Sequence, residues 1–196
     1  MSKIPIPLPV NPSRWDYVTA SGGGLTLAFV AGSGGSITLR SPTGENVKLH
    51  YSGIGAGLGM GAKLPRFGKV DIKIKGKSVG GVGAAEAFPS DGAVFVADDL
   101  VAGDLTRDDI VGPCMYVEAG GGVALGVSAT AMLFGLDPKL LAAVMLANTT
   151  PAANLTLSPI LTRKLMQSAS GALLMAGANL GIQAGIGGAV YIGALF

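Results

Sequence analysis

The stretch GIGAGLGMG, residues 53–61, has glycine at every second position: Gly53, Gly55, Gly57, Gly59 and Gly61 alternate with Ile54, Ala56, Leu58 and Met60. A period of two is the period of a β-strand, and this strand has one face without side chains. Such a face lets a backbone or a ring approach closely, as in a tightly curved sheet or a small barrel.

Other segments repeat the period. In SITLRSPTGENVKLHY, Ile37 and Leu39, then Val47, Leu49 and Tyr51, share one face, while Thr38, Arg40, Lys48 and His50 share the other. The SPTGE between them is turn chemistry, so a hairpin is expected. Leu25, Leu27 and Phe29 alternate with small residues; Val70, Ile72 and Ile74 alternate with Asp71, Lys73 and Lys75. GAVFVAD and CMYVEAGGGVALGVSATAMLFG continue the theme. The expected fold class is mainly β (α+β), a glycine-rich antiparallel sheet that curves or closes into a small barrel. Two short helices interrupt it in the C-terminal half. Asp137 as N-cap with Pro138 at the first helical position opens one near 138–148, and Ser158 with Pro159 opens another near 159–170. Prolines at 5, 7, 9 and 12 make residues 1–14 an extended arm on a single domain, 15–196.

Composition narrows the class. Only 13% of residues are charged, against a usual share of about 25%. Apolar residues make up 49%, and 32 of the 196 residues are glycine. This places the chain at the border between soluble and membrane proteins. The net charge of +2 is too weak to hold nucleic acid by bulk electrostatics. Charge comes in blocks. Residues 63–77 carry six bases and Asp71, residues 86–118 carry eight acids and Arg107, and the 32 residues after Lys164 carry none. The two blocks are expected to face each other or water. No Sec signal is expected, because the prolines of the opening arm break any helical apolar run.

The catalytic inventory is thin. His50 is the one histidine and stands on the polar face of the expected hairpin, so a histidine triad or histidine metal site lacks partners. Cys114, the one cysteine, excludes an intramolecular disulfide. The GKS at 76–78 fails as a phosphate loop because Asp71 stands where its first glycine is required. GLGMGA at 57–62 fits a degenerate dinucleotide fingerprint, but bases stand where its acidic residue belongs. The aspartates at 98, 99, 104, 108 and 109 do not have the spacing of a calcium loop. No enzyme, cofactor or metal is expected.

The tail GALLMAGANLGIQAGIGGAVYIGALF, residues 171–196, has two readings. A helix of that length spans about 39 Å, enough to cross a hydrocarbon core about 30 Å thick. Gly177, Gly181 and Gly185 would then form a close-approach face. Its seven glycines oppose this, at about 1 kcal/mol each in water. As strands, Leu180, Ile182 and Ile186 alternate with glycine and glutamine, Gly187 and Gly188 turn, and Val190 and Ile192 return. Strands are expected in water. Gly177, Gly181, Gly185, Leu180, Ile182 and Ile186 are the candidate membrane or pore segment, within lipid contacts at 119–136 and 165–196. Glycine, alanine and serine are cheap to desolvate, so a sheet buried on one face in water can bury both in lipid.

The opening IPIPLPVNPSRWDYV, the glycine-rich body and the uncharged C-terminal region resemble the small antibacterial effectors of the Pseudomonas type VI secretion system. The resemblance implies loading into the ring of the haemolysin-coregulated tube protein and secretion from the producer cytoplasm without a Sec signal. It also implies ion-conducting pores in the inner membrane of a competitor, and a cognate immunity protein. The competing reading is a soluble β-barrel module with an apolar ligand inside, which would leave liposome permeability unchanged.

Overall fold

A computed structural model describes residues 9, 11–27, 30–60, 72–74, 77–79, 90–123, 125–149, 159–179 and 185–196. The strands are β1 (Asn11–Pro12), β2 (Asp16–Leu27), β3 (Val30–Arg40), β4 (Asn46–Met60), β5 (Ile72–Ile74), β6 (Lys77–Val79), β7 (Ser90–Val96), β8 (Gly112–Val123), β9 (Leu125–Phe134), β10 (Gly171–Asn179) and β11 (Gly185–Leu195). The helices are α1 (Arg107–Ile110), α2 (Pro138–Thr149) and α3 (Pro159–Gln167). Nine strands form one antiparallel sheet in the order β1-β7-β10-β9-β8-β11-β4-β3-β2, while β5 and β6 pair separately.

This order forces the sheet to curl. β1 and β2 are its first and last members, yet only residues 13–15 separate them in the chain. Four Cα steps of ~3.8 Å bring those ends within about 15 Å. Laid flat, nine strands would span about 38 Å at ~4.8 Å per strand. The result is a curled half-barrel whose two edges meet along the opening arm. There Ser13 N–H donates to the Val94 carbonyl of β7 at 3.0 Å, and the Tyr17 ring of β2 lies where a side chain on Gly92 would stand, 2.6 Å away.

The expected hairpin is β3–β4. Ile37, Leu39, Leu49 and Tyr51 are buried, Arg40, Lys48 and His50 are exposed, and Leu39 pairs with Val47. Gly44 closes the turn at φ 89°, with its N–H on the Ser41 carbonyl at 2.9 Å. α2 starts as expected: Asp137 Oδ1 accepts from the N–H groups of Lys139 and Leu140 at 2.7 and 2.9 Å. α1 was not foreseen. It is four residues long, capped by Thr106 and Asp109 in a reciprocal box.

Two ends can be distinguished along the strands. The helix end holds the turn at 41–45, α1, α2, α3 and the exit of β11; the other carries the connections at 28–29 and 124, and is called the glycine end. Among the described residues, most of the core is at the helix end, where Ile37, Leu49, Phe134, Leu173 and Leu195 fill the inside of the curl. A second cluster lies outside the sheet, where α2 and α3 bury Leu141, Val144 and Leu165 against Met115 of β8.

The strand reading of the tail holds, with one correction. Gly187 and Gly188 do not turn; both lie inside β11, paired with Gly120 and Ala119 of β8 and with Gly59 and Leu58 of β4. β10 and β11 are not neighbours, since β8 and β9 lie between them. Glycine serves here as ladder because it admits close neighbours, and this can be mistaken in sequence for turn chemistry.

Candidate membrane-contacting surface

Residues opposite one another in an antiparallel ladder share a face, so the register sorts the wall into rows. The inward row of the helix end contains Val94, Leu173, Met132, Tyr116 and Tyr191, all buried. One row further toward the glycine end, the inward positions are Gly92, Met175, Thr130, Glu118, Ala189 and Gly57. In the next, Gly177 of β10 pairs with Ser90 and Ser128. Large apolar residues thus give way to small and polar ones.

The outward rows run the opposite way. Ala93, Leu174, Ala131, Val117 and Val190 form one; Ala176, Ala129, Ala119 and Gly188 form the next. All nine are exposed, Leu174 to 49%, and Ile54 on the adjoining strand reaches 62%. The register continues with Ala178, Val127, Gly121, Ile186 and Met60. A sheet in water ordinarily turns its apolar face inward and its polar face out. Apolar outside and polar inside is the alternation of strands that cross a bilayer. Among the described residues no helix is long and apolar enough to cross a membrane, which leaves strands unaddressed.

Glu118 marks the change from packed to open interior. It is half-buried, accepts a hydrogen bond from Ser33 Oγ at 3.1 Å, and is bonded to the Tyr191 hydroxyl. Ser33 is on β3, three strands away around the wall, so this bond spans the inside of the curl. Tyr116 stacks on Tyr191 at 4.8 Å, meets Tyr51 edge-on at 5.5 Å, and donates to the Ser33 carbonyl at 3.3 Å. Toward the helix end the space bounded by Ile37, Leu49, Met132 and Leu195 has no room for a water-sized guest.

Asp98, Asp104 and Asp109 have structural partners. Buried Asp104, at φ 59°, accepts from Ser13 Oγ and Arg14 N–H at 2.7 Å and from Arg14 Nε at 3.0 Å. Burial raises its carboxyl, but the bonds from Ser13, Leu105 and Arg14 outweigh this and hold it below the usual carboxylate range. Trp15 donates its indole N–H to the Leu105 carbonyl at 2.7 Å, and Asn11 bonds Asp98. Together these contacts clasp the opening arm to the segment 98–105. Asp109 caps α1.

Of the candidate segment, Gly177 lies in β10 between Ser128 and Ser90, Gly185 pairs with Gly122, and Ile186 pairs with Gly121 and Met60. Leu180, Gly181 and Ile182 lie outside the described residues, as do Phe29, Val70, Ser158 and most of the basic block. His50 is exposed, with its ring 6.1 Å from Phe196, and burial pushes the Cys114 thiol up to about 12. Sequence reasoning placed 119–136 among the lipid contacts but missed Val117 and Glu118, and it did not say which residues of β8 and β9 face outward. The signal was there in Val117, Ala119, Val127, Ala129 and Ala131, which alternate with Glu118, Ser128 and Thr130.

No family model and no solved structure matches the chain. A Pseudomonas aeruginosa protein named Toxin protein Tse4 is 64% identical over 196 residues, covering 100% of both chains. Identity at that level along the whole length places this chain in the Tse4 toxin family.

Proposed function

We propose that the protein is an antibacterial effector of a type VI secretion system that permeabilises the inner membrane of a competitor by forming ion-conducting pores. Membership of a toxin family supports the harmful role. The observation that carries the membrane reading is the exposed apolar outer face of β8, β9, β10 and β11, backed by an inner face that carries Gly92, Gly177, Thr130 and Glu118. In this reading the outer face meets lipid and the inner face lines a conducting path. The tube protein carries the effector out, an immunity protein shields the producer, and no catalysis is involved.

The helix pair has a part in the same reading. From Val117, whose side chain is exposed, to its end at Val123, β8 runs seven residues, short of the 9–11 of a tilted membrane strand. Met115, one outward position further, is covered by α2 and α3. Lifting that pair extends the apolar run to nine residues, 115–123.

Potassium and dye release from anionic liposomes test the proposal. Wild-type protein is expected to release potassium but not a large dye. Val117→Lys and Val190→Lys place charge at exposed outward positions and should lose release while keeping the native circular dichroism spectrum. Absence of release by well-folded wild-type protein would overturn the reading.

A further inference from the structure

The two edges of the curled sheet meet without a full ladder. Among the described residues β2 pairs along one side only, with β3. β7 is paired along one side by β10, while on the other Asn11 and Pro12 reach only Val96 and Phe95 and Ser13 reaches Val94. Beyond that short contact, no ladder joins β2 to the Ser90–Ala93 side of β7 among the described residues, and the two strands lie beside each other edge to edge. Unpaired edges are templates for pairing with another chain.

We propose that this seam between β2 and β7 is where copies of the chain join, β2 of one copy pairing with β7 of the next, and that the opening arm holds it closed in the single molecule. The occupant is a second copy because the molecule already brings these two edges together within itself. β2 runs toward the glycine end and β7 away from it, so they are antiparallel, and Tyr17 already seats on Gly92. An intramolecular contact of this kind becomes intermolecular when the connecting clasp opens, as in domain swapping. The clasp is local: Asn11 on Asp98, Ser13 and Arg14 on Asp104, Trp15 on Leu105. Releasing it exposes both edges while the seven ladders from β7 through β10, β9, β8, β11, β4 and β3 to β2, and their core, need not break. A head-to-tail interface of this kind closes into a ring when its rotation allows, giving a barrel wider than one chain can form. The proposal rests on the membrane reading for its trigger.

The test uses the full chain with Cys114→Ala, checked for folding. One variant adds Val18→Cys on β2 and another adds Asp91→Cys on β7; both positions are exposed. The two are mixed with anionic liposomes and a mild oxidant, and potassium release is followed in parallel. The expected result is a mixed 18–91 disulfide dimer in clear excess over 18–18 and 91–91 dimers. A third variant, Pro12→Cys with Phe95→Cys, ties residues that stand opposite each other across the clasp. Oxidised, it should reduce potassium release at least about tenfold, since only the opened fraction can assemble, and reducing agent should restore it. Potassium release without mixed dimers, or from the oxidised tie, overturns the seam and leaves the membrane reading standing. Mixed dimers without release support the seam and sink the pore.

Discussion

On its inward face β4 carries Leu49 and Tyr51 at the helix end, then Gly53, Gly55, Gly57 and Gly59 toward the other. Its outward face passes from Lys48 and His50 to Ile54. The two ends of one strand therefore obey opposite rules. At the helix end large residues face in and charges face out, and each buried large side chain contributes about 1.5–3 kcal/mol. Toward the glycine end the inward positions of this strand are glycine, which has no side chain to bury and gives up the most backbone entropy on ordering. Stability is concentrated in one half, and the other half is held in register by ladders that begin in the first. In the proposed function that division lets one end change surroundings while the other stays folded.

The comparison is most easily broken with a large-to-small pair. Phe134, 1% exposed, has its ring against Gly171, and Phe134→Ala is expected to cost about 3–5 kcal/mol in urea unfolding. Val117→Ala, an exposed outward position, should cost under about 1 kcal/mol. Equal costs would mean that the glycine end is as tightly packed as the helix end.

A smaller effect tests the boundary between them. A Cβ on Gly53 would stand 2.6 Å from Tyr116 Oη and 3.1 Å from the Ile192 carbonyl. Gly53→Ala should therefore cost about 1–3 kcal/mol by overpacking. Tyr116→Phe removes the atom that the new methyl meets, so the double variant should lose less than the sum of the two single losses. Strict additivity would show that ring and glycine do not meet.

The clasp comes next in size. Asp104→Asn puts an amide N–H₂ against donors from Ser13 and Arg14, leaving one buried donor unmatched, at about 1–2 kcal/mol. Its pH dependence has a definite sign. The folded carboxyl is held below its ordinary 3.8, so the unfolded chain binds more protons; Asp104 stabilises above that value and loses its contribution as pH falls through the lower folded value. The wild-type advantage over Asp104→Asn should shrink as pH falls below about 4, read from melting midpoints. A gap that widened on acidification would contradict the assignment.

How much of this could be read from sequence depends on the range of the contact. The β3–β4 hairpin was legible because a period of two and a turn are local, and Asp137 with Pro138 announces α2 within three residues. The direction of the faces at the glycine end was not, because Ile54 and Gly53 alternate identically whichever faces in. Only Tyr116 and Ser33, from distant strands, decide that the glycines face inward. The clasp was equally hidden, since Ser13 and Asp104 are 91 residues apart. Gly187 and Gly188 misled as a turn because the same residue serves tight turns and close ladders alike.

The smallest stability effect tests the comparison most severely. Leu174 stands outward between Ala93 and Ala131, and Leu174→Thr puts a polar, β-branched strand former there. If nothing but water covers that face in the single molecule, unfolding free energy should change by no more than about 0.5 kcal/mol. Sedimentation with anionic liposomes should nevertheless fall, by about tenfold if the lost apolar burial is worth ~1.4 kcal/mol in lipid. The two measurements are asymmetric by design. A stability loss of about 2 kcal/mol or more would mean that the outer face is already covered in water, by protein rather than by solvent. Unchanged sedimentation with unchanged stability would mean that Leu174 meets neither, and the apolar outside of the glycine end would lose its claim to be the surface that enters lipid.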